Sequence, residues 1–355
     1  MKKDIRDFFG KENLYAVIFG GAGYEHSVSR LGAANFISAA ESCGFEILPI
    51  FIDKNGAFSV YLGEILDIAD QECEIDGSLL FSTYPVRLGD ESGFLVSGEV
   101  LSVRLAVPLL HGDFGEDGAV QGALECAGIR YIGASVFAGA LTSDKAFSKA
   151  VAVCAGVRTL PWLTVTRSEK REDILRAVSE GIGYPVFIKP CRLGSSIGAS
   201  RATCASELSK SLDRAFAVAD RVMAERALTD FRELECAWLD VGDTHVIAHP
   251  GEISVPGGFY GYREKYSGRC GVRLFPRANI PPETAERIKA MTQRLAAAFG
   301  VRHLARFDYF LDRDGTVYFN EVNSFPGMTG GSLYAAMLAE SGISFSDFIK
   351  KLLLQ

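Results

Sequence analysis

The chain has 355 residues, 48% of them hydrophobic, and a formal net charge of −7, enough material for two or three domains with sizeable cores. An acidic balance without clustered Lys and Arg lacks the electrostatic footprint for phosphate backbones or anionic membranes, so neither nucleic acid nor a membrane is an expected partner. The charged start (Lys2, Lys3, Asp4, Arg6, Asp7) is not followed by an apolar run of signal-peptide length, and no stretch approaches the ~18 apolar residues of a spanning helix, so a cytoplasmic location is expected.

Residues 14–19 form a short β-branched and aromatic run that ends in Gly20-Gly21-Ala22-Gly23 and leads into a helical pattern over 25–43. Further buried strands are predicted at 47–52, 105–110 and 129–132, with a helix over 118–127. This pattern predicts an α/β first third with a parallel sheet. Helical spacing over 143–155 closes at Gly156, in the manner of a C′ glycine. Strands at 186–189, 198–201 and 222–225, with a helix over 207–219, make a compact second unit. Beyond Arg232 come more strand-like segments, a polar loop rich in Gly and Tyr over 257–271, and a long helix over 282–300 that begins with proline. Alternating segments at 305–311 and 316–322, joined by Asp312-Arg313-Asp314-Gly315, predict a hairpin. The eight cysteines (Cys43, Cys73, Cys126, Cys154, Cys191, Cys204, Cys236, Cys270) contain no C-x-x-C pair and read as reduced thiols.

The hairpin carries chemistry. With its turn centred between Arg313 and Asp314, Asp308 lies opposite Phe319, Glu321 is a diagonal neighbour on the same face, and Asn323 follows two residues on. Such oxygen donors suit nucleotide-bound Mg²⁺, which commonly takes one or two carboxylates plus substrate phosphates. A solvated polar hairpin face would read the same way in isolation. A second element, Lys189-Pro190-Cys191-Arg192-Leu193-Gly194-Ser195-Ser196-Ile197-Gly198, puts a lysine at a strand end before a flexible loop whose small residues let backbone N–H groups approach phosphate. It lacks P-loop spacing, and a loop of turn formers is the plain alternative.

These two elements, in this order, resemble the ATP-grasp superfamily, and the chain is similar to the D-alanine:D-alanine ligases along almost its whole length. The resemblance rests on Gly20-Gly21 with Glu25 and Ser29, the segment from His111 to Gly118, Ser143-Asp144-Lys145, the loop from Lys189 to Gly198, and the segment from Glu321 to Thr329. It implies a three-domain ATP-grasp fold: an N-terminal Rossmann-like α/β domain (1–133), then two α+β units (134–227 and 228–355) that clasp ATP.

The resemblance also implies roles. Lys145, Lys189 and Lys265 would contact ATP phosphates, with Ser195 and Ser196 in the phosphate loop. Glu225, Ala227 and Leu228 would form the hinge that receives adenine, and Glu233 would hold the ribose. Asp308, Glu321 and Asn323 would bind two Mg²⁺ ions, with Mn²⁺ as an alternative. Ligases of this type activate a carboxylate as an acyl phosphate that an amine attacks, and the resulting oxyanion needs prearranged donors. Arg306 and the Gly327 N–H match those donors, although an arginine among carboxylates also serves to neutralise them. Glu25 would hold the first D-alanine's ammonium, with His111 in the same pocket, and Glu25, Ser195 and Tyr266 match a hydrogen-bonded trio over the substrates. Ser332 and the Leu333 N–H, at a helix start, would take the second substrate's carboxylate, where a plain N-cap serine is the alternative. A homodimer is the implied assembly.

For the second substrate, joining two D-alanines into a dipeptide is the favoured expectation. Tyr266 and Leu333 resemble the dipeptide-forming enzymes. Gly330-Gly331, Ala335-Ala336 and Leu193 depart from the usual pattern in ways that would loosen the second-substrate pocket and admit D-serine, so a D-serine (or D-lactate) ligase of the vancomycin-resistance type is the alternative. An NAD-dependent oxidoreductase is suggested by Gly21-Ala22-Gly23 and Asp53, but the fingerprint requires glycine where His26 stands. A non-catalytic nucleotide-binding relative is the remaining alternative.

Overall fold

The computed structural model describes residues 4–70, 75–254, 271–328 and 332–355, and three sheets organise them. In the first, β1 (Leu14–Gly20) lies between β2 (Glu46–Ile52) and β7 (Leu105–Pro108), all parallel. Past β2 it continues antiparallel through β3 (Phe58–Tyr61), β4 (Leu80–Leu88), β5 (Glu91–Val96) and β6 (Glu99–Ser102), giving seven strands. The sequence pattern identified the parallel strands but not this extension, in which β4 and β6 each bury only one residue. The strand expected at 129–132 is corrected: there the chain makes a single isolated bridge, Tyr131 to Ala106.

Every residue of β1 is buried, because the sheet is covered on both faces. Tyr15, Val17 and Phe19 pack with Ala33, Phe36 and Ile37 of α1 (His26–Ser42), while Leu14, Ala16 and Ile18 pack in a second cluster with Val120 and Leu124. Period-two alternation thus divides one apolar run between two cores, and each large side chain buried contributes about 1.5–3 kcal/mol. At the end of β1, Gly20 has φ +95, and a Cβ there would meet the Ile52 carbonyl at 2.2 Å. Only glycine permits that turn, which delivers the chain to Glu25.

The helices that follow are α2 (Ile65–Ala69), α3 (Ala119–Cys126), α4 (Val136–Ser143) and α5 (Lys145–Cys154). The helix expected over 143–155 is α5, which begins two residues later, and the sequence pattern did not identify α4 just before it. Asp144 is extended (φ −100, ψ 112), and its side chain accepts the Ala146 and Phe147 N–H groups as an N-cap.

The second sheet is antiparallel, in the order β10 (Ser200–Ala202), β9 (Val186–Pro190), β11 (Arg221–Arg226), β8 (Trp162–Thr166). Helices α6 (Arg171–Gly181) and α7 (Ala205–Phe216) cover it through Ile174, Val178, Leu208 and Leu212.

The third sheet runs β15 (Arg273–Phe275), β14 (Gly251–Ser254), β12 (Phe231–Val241), β16 (His303–Asp312), β17 (Val317–Asn323), with β13 (Thr244–Ile247) on β12. Leu234, Cys236 and Trp238 of β12 face α8 (Pro282–Phe299). Ala237, Leu239 and Val241 face the other way, into the cluster shared by α1 and the closing helices α9 (Leu333–Glu340) and α10 (Phe345–Leu353). The carboxy-terminal helices therefore weld the third sheet to the first. Among the described residues no helix is long and apolar enough to cross a membrane.

Candidate active site

A cavity of about 750 Å³ opens where the three sheets meet. From the first sheet, Glu25 stands at the start of α1 and accepts a hydrogen bond from Ser195 Oγ. The approach is close: a Cβ at Gly112 or Gly194 would come within 2.9 or 2.8 Å of Glu25 Oε2. Ser29 fixes the turn beneath by accepting the Gly20 N–H at 2.9 Å and donating to the Leu109 carbonyl. His111 lines the same side, and burial pushes its pKa down against the opposing pull of Glu25.

The second sheet supplies a cationic wall. Lys189, near the end of β9, donates to Glu225 at 2.8 Å and to Asn320 Oδ1 at 3.2 Å. Glu225 is 2% exposed and its other oxygen pairs with Lys149, which has no exposed surface. Burial disfavours the Glu225 carboxylate, but Lys149 and Lys189 outweigh it and hold its pKa below the ordinary value. Burial pushes Lys149 down to about 8, with Glu225 pulling the other way. Lys145 donates to the Leu193 carbonyl at 2.8 Å, which braces the loop carrying Ser195 and Ser196. Both serines are left-handed (φ 50 and 58), a conformation that costs of order 1–3 kcal/mol per residue and persists where surroundings over-determine it.

The third sheet supplies an acidic wall, and here the register departs from expectation. Asp308 lies opposite Glu321, not Phe319, because an irregularity follows Asp308 and Tyr309 pairs with Phe319. Asn320 is the extra residue of a β-bulge. Val317, Phe319 and Val322 all face the core, so without the bulge Glu321 would share Phe319's inward phase. The bulge turns it to the cavity beside Asp308. Arg306 grips Asp308 with two bonds of 2.8 Å and reaches Glu235 at 3.2 Å. Although burial opposes its charge, Asp308 and Glu235 hold its pKa well above the ordinary value. Lys145 and Glu321, 3.5 Å apart, bridge the two walls.

Ala227, Leu228, Glu233, Gly327, Ser332 and Leu333 complete the lining. Ser332 is the N-cap residue of α9, yet its side chain makes no capping bond. Every site residue expected from sequence therefore lies on this one cavity except Lys265 and Tyr266, which fall outside the described residues. Sequence reasoning missed Lys149, Glu116 and Glu235. Lys149 follows Lys145 by four residues, a same-face helical spacing that could have flagged it. Glu116 accepts the Gly112 N–H at 3.0 Å, and the Asn323 amide, in the orientation that satisfies its neighbours, donates to Glu116 at 2.7 Å and to the Phe325 carbonyl at 3.1 Å. Burial, reinforced by Glu25, pushes Glu116 up to about 8.

Among the described residues, no three or more His, Cys, Asp or Glu are grouped to hold a metal unaided. Asp308, Glu321 and Asn323 offer oxygen only, and the amide orientation above leaves Asn323 Oδ1 as its donor atom. That set fits Mg²⁺ completed by phosphate oxygens.

The family models described as D-ala D-ala ligase N-terminus and D-ala D-ala ligase C-terminus match residues 15–134 and 151–354. The D-alanine–D-alanine ligase of Caldicellulosiruptor bescii is 35% identical over 348 residues, covering 95% of this chain and 93% of the relative. That of Chlorobium phaeovibrioides is 34% identical over 356 residues, covering 97% and 96%. Among solved structures, the VanG D-Ala:D-Ser ligase from Enterococcus faecalis superposes with a TM-score of 0.86 at 32% identity, over 97% of this chain and 99% of that one. The D-alanine-D-alanine ligase from Coxiella burnetii shares the fold, with a TM-score of 0.83 at 24% identity over 97% and 94%.

Proposed function

The chain belongs to the D-alanine–D-alanine ligase family, with its ATP-grasp fold, and we propose that it joins two D-alanines in an ATP- and Mg²⁺-dependent reaction through a D-alanyl phosphate, for peptidoglycan precursors. The observation that carries this reading is the convergence on one cavity of a cationic wall, an acidic wall and the Glu25–Ser195 contact. In functional terms the chain divides into a first-substrate unit (1–133), a phosphate unit (134–227) and a metal and oxyanion unit (228–355).

Lys145 and Lys189 attract the nucleotide phosphates, and the hinge at Glu225, Ala227 and Leu228, with Glu233, takes the nucleoside. Asp308, Glu321 and Asn323 would hold Mg²⁺, which when bound screens phosphate charge. Glu25 holds the ammonium of the first D-alanine beside His111, and its bond from Ser195 ties the phosphate loop over the acyl phosphate, excluding water. Arg306, held by Asp308 and Glu235, and the Gly327 N–H donate to the oxyanion formed when the second amine attacks. The N-terminus of α9, with Ser332 and the Leu333 N–H, receives the second carboxylate.

A second reading, D-alanine:D-serine ligation, is favoured by the likeness to the VanG D-Ala:D-Ser ligase. The test is phosphate release from MgATP with D-alanine alone, then with D-serine or D-lactate added, each product identified by mass. D-alanyl-D-alanine from D-alanine alone supports the first reading. A dominant mixed product reassigns the enzyme, and no turnover refutes both.

A further inference from the structure

Lys149 is a fully buried ammonium that is not part of the cavity lining. Burying such a charge is costly unless it is paired, and its partners are specific. Its Nζ meets one oxygen of Glu225 and the Phe319 carbonyl at 3.3 Å, while the other Glu225 oxygen meets Lys189 at 2.8 Å. Lys189, unlike Lys149, lines the cavity. With Glu225 and Lys189 alone the pair would be neutral, and an anion approaching Lys189 would meet a carboxylate directly behind it. With Lys149 the group carries one net positive charge, and that charge sits on the member that faces the cavity.

We propose that Lys149 is a positioning residue that neutralises Glu225 from behind, so that Lys189 presents an uncompensated charge to the nucleotide phosphates; this rests on the ATP-binding reading above. Lys149 touches no ligand itself. It acts through Glu225, and its bond to the Phe319 carbonyl also anchors the strand next to Asn320, the residue that orients Lys189 from the third sheet. A carboxylate at a nucleotide hinge and a phosphate lysine next to it can then coexist without cancelling.

The test is calorimetric titration of the full chain with adenosine and with MgADP. In the unaltered protein MgADP binds much more tightly than adenosine. Lys149→Met lowers MgADP affinity about tenfold or more, the size expected for removing one unit charge a few ångströms behind the contact, and leaves adenosine affinity within about twofold. Lys149→Gln, which keeps a hydrogen-bonding group toward Glu225 and the Phe319 carbonyl but not the charge, lowers MgADP affinity in the same way and again spares adenosine. If Lys149→Met does not fold, Lys149→Gln decides alone: a loss confined to MgADP supports the proposal, and equal weakening of both ligands, or none, overturns it. Equal weakening of adenosine and MgADP in Lys149→Met, or no weakening of MgADP, also overturns it. Should the unaltered protein bind MgADP no better than adenosine, the ATP reading falls first and this inference with it.

Discussion

The two walls of the cavity are inverse constructions. On the second sheet one carboxylate, Glu225, sits between two ammonium groups, Lys149 and Lys189. On the third sheet one guanidinium, Arg306, sits between two carboxylates, Asp308 and Glu235. Each triplet neutralises its central ion and leaves one charge of the outer sign in excess, with Lys145 and Glu321 adding one more of each. The difference teaches how one cavity serves two kinds of ion: a positive wall for phosphate and a negative wall for a cation and for steering a single arginine. Because the central ion of each triplet balances two opposite charges, its loss should hurt more than the loss of a flank.

The largest expected effect follows from that asymmetry. Glu225→Gln leaves Lys149 buried without its counterion, and the unfolding free energy measured in denaturant should fall by about 3–5 kcal/mol, the usual result of breaking a buried ion pair. A fall under about 1 kcal/mol, typical of exposed pairs, would mean that the second-sheet triplet is not a structural unit.

On the opposite wall, Arg306→Ala should lower turnover about 10²–10³-fold, the range for losing one oxyanion donor, while ATP affinity changes little. Lost nucleotide binding with intact turnover would break the assignment of roles between the walls.

A pH titration separates both walls from a group outside them. Burial, with Arg302, pushes His303 down to about 4, and its Nδ1 accepts the Gly133 N–H at 3.0 Å. The folded pKa lies below the ordinary 6.5, so protonation favours the unfolded chain. Stability is then unaffected above about pH 6.5 and declines as pH falls to about 4, by up to about 3 kcal/mol. His303→Gln should flatten that part of the acid limb of thermal stability, and an unchanged limb would exclude His303 as its source. The smallest effect belongs to an exposed pair on α6: Arg176→Ala removes the contact to Asp173 and should shift stability by no more than about 0.5 kcal/mol.

Much of the fold was legible locally. The unbroken apolar run of β1, the proline-started α8 and the Asp-Gly hairpin signal each follow from neighbours in sequence, since burial on two faces, helix start and turn chemistry are local constraints. The antiparallel extension β3 to β6 was not legible, because half-exposed edge strands have a weak pattern whose pairing is set by whatever lies beside them. Asp144 caps α5 with its side chain and so sets the helix start at Lys145, a boundary that spacing alone does not express.

At the site, sequence by itself determined which chemical groups are present: the lysines of the phosphate wall, Arg306, the Asp308 and Glu321 carboxylates, Glu25 and Ser195. Only the tertiary structure decided how their charges combine. Lys149 and Glu225 are remote in the chain and meet because α5 packs beneath the junction of two sheets. Glu321 reaches the cavity only because Asn320 is extruded and held by Lys189, while the Phe319 carbonyl is held by Lys149. Local sequence sets what a residue can donate or accept, but a buried ion's partner and a strand's register are fixed by contacts with another sheet, where an unpaired charge or a misphased carboxylate would cost too much to persist.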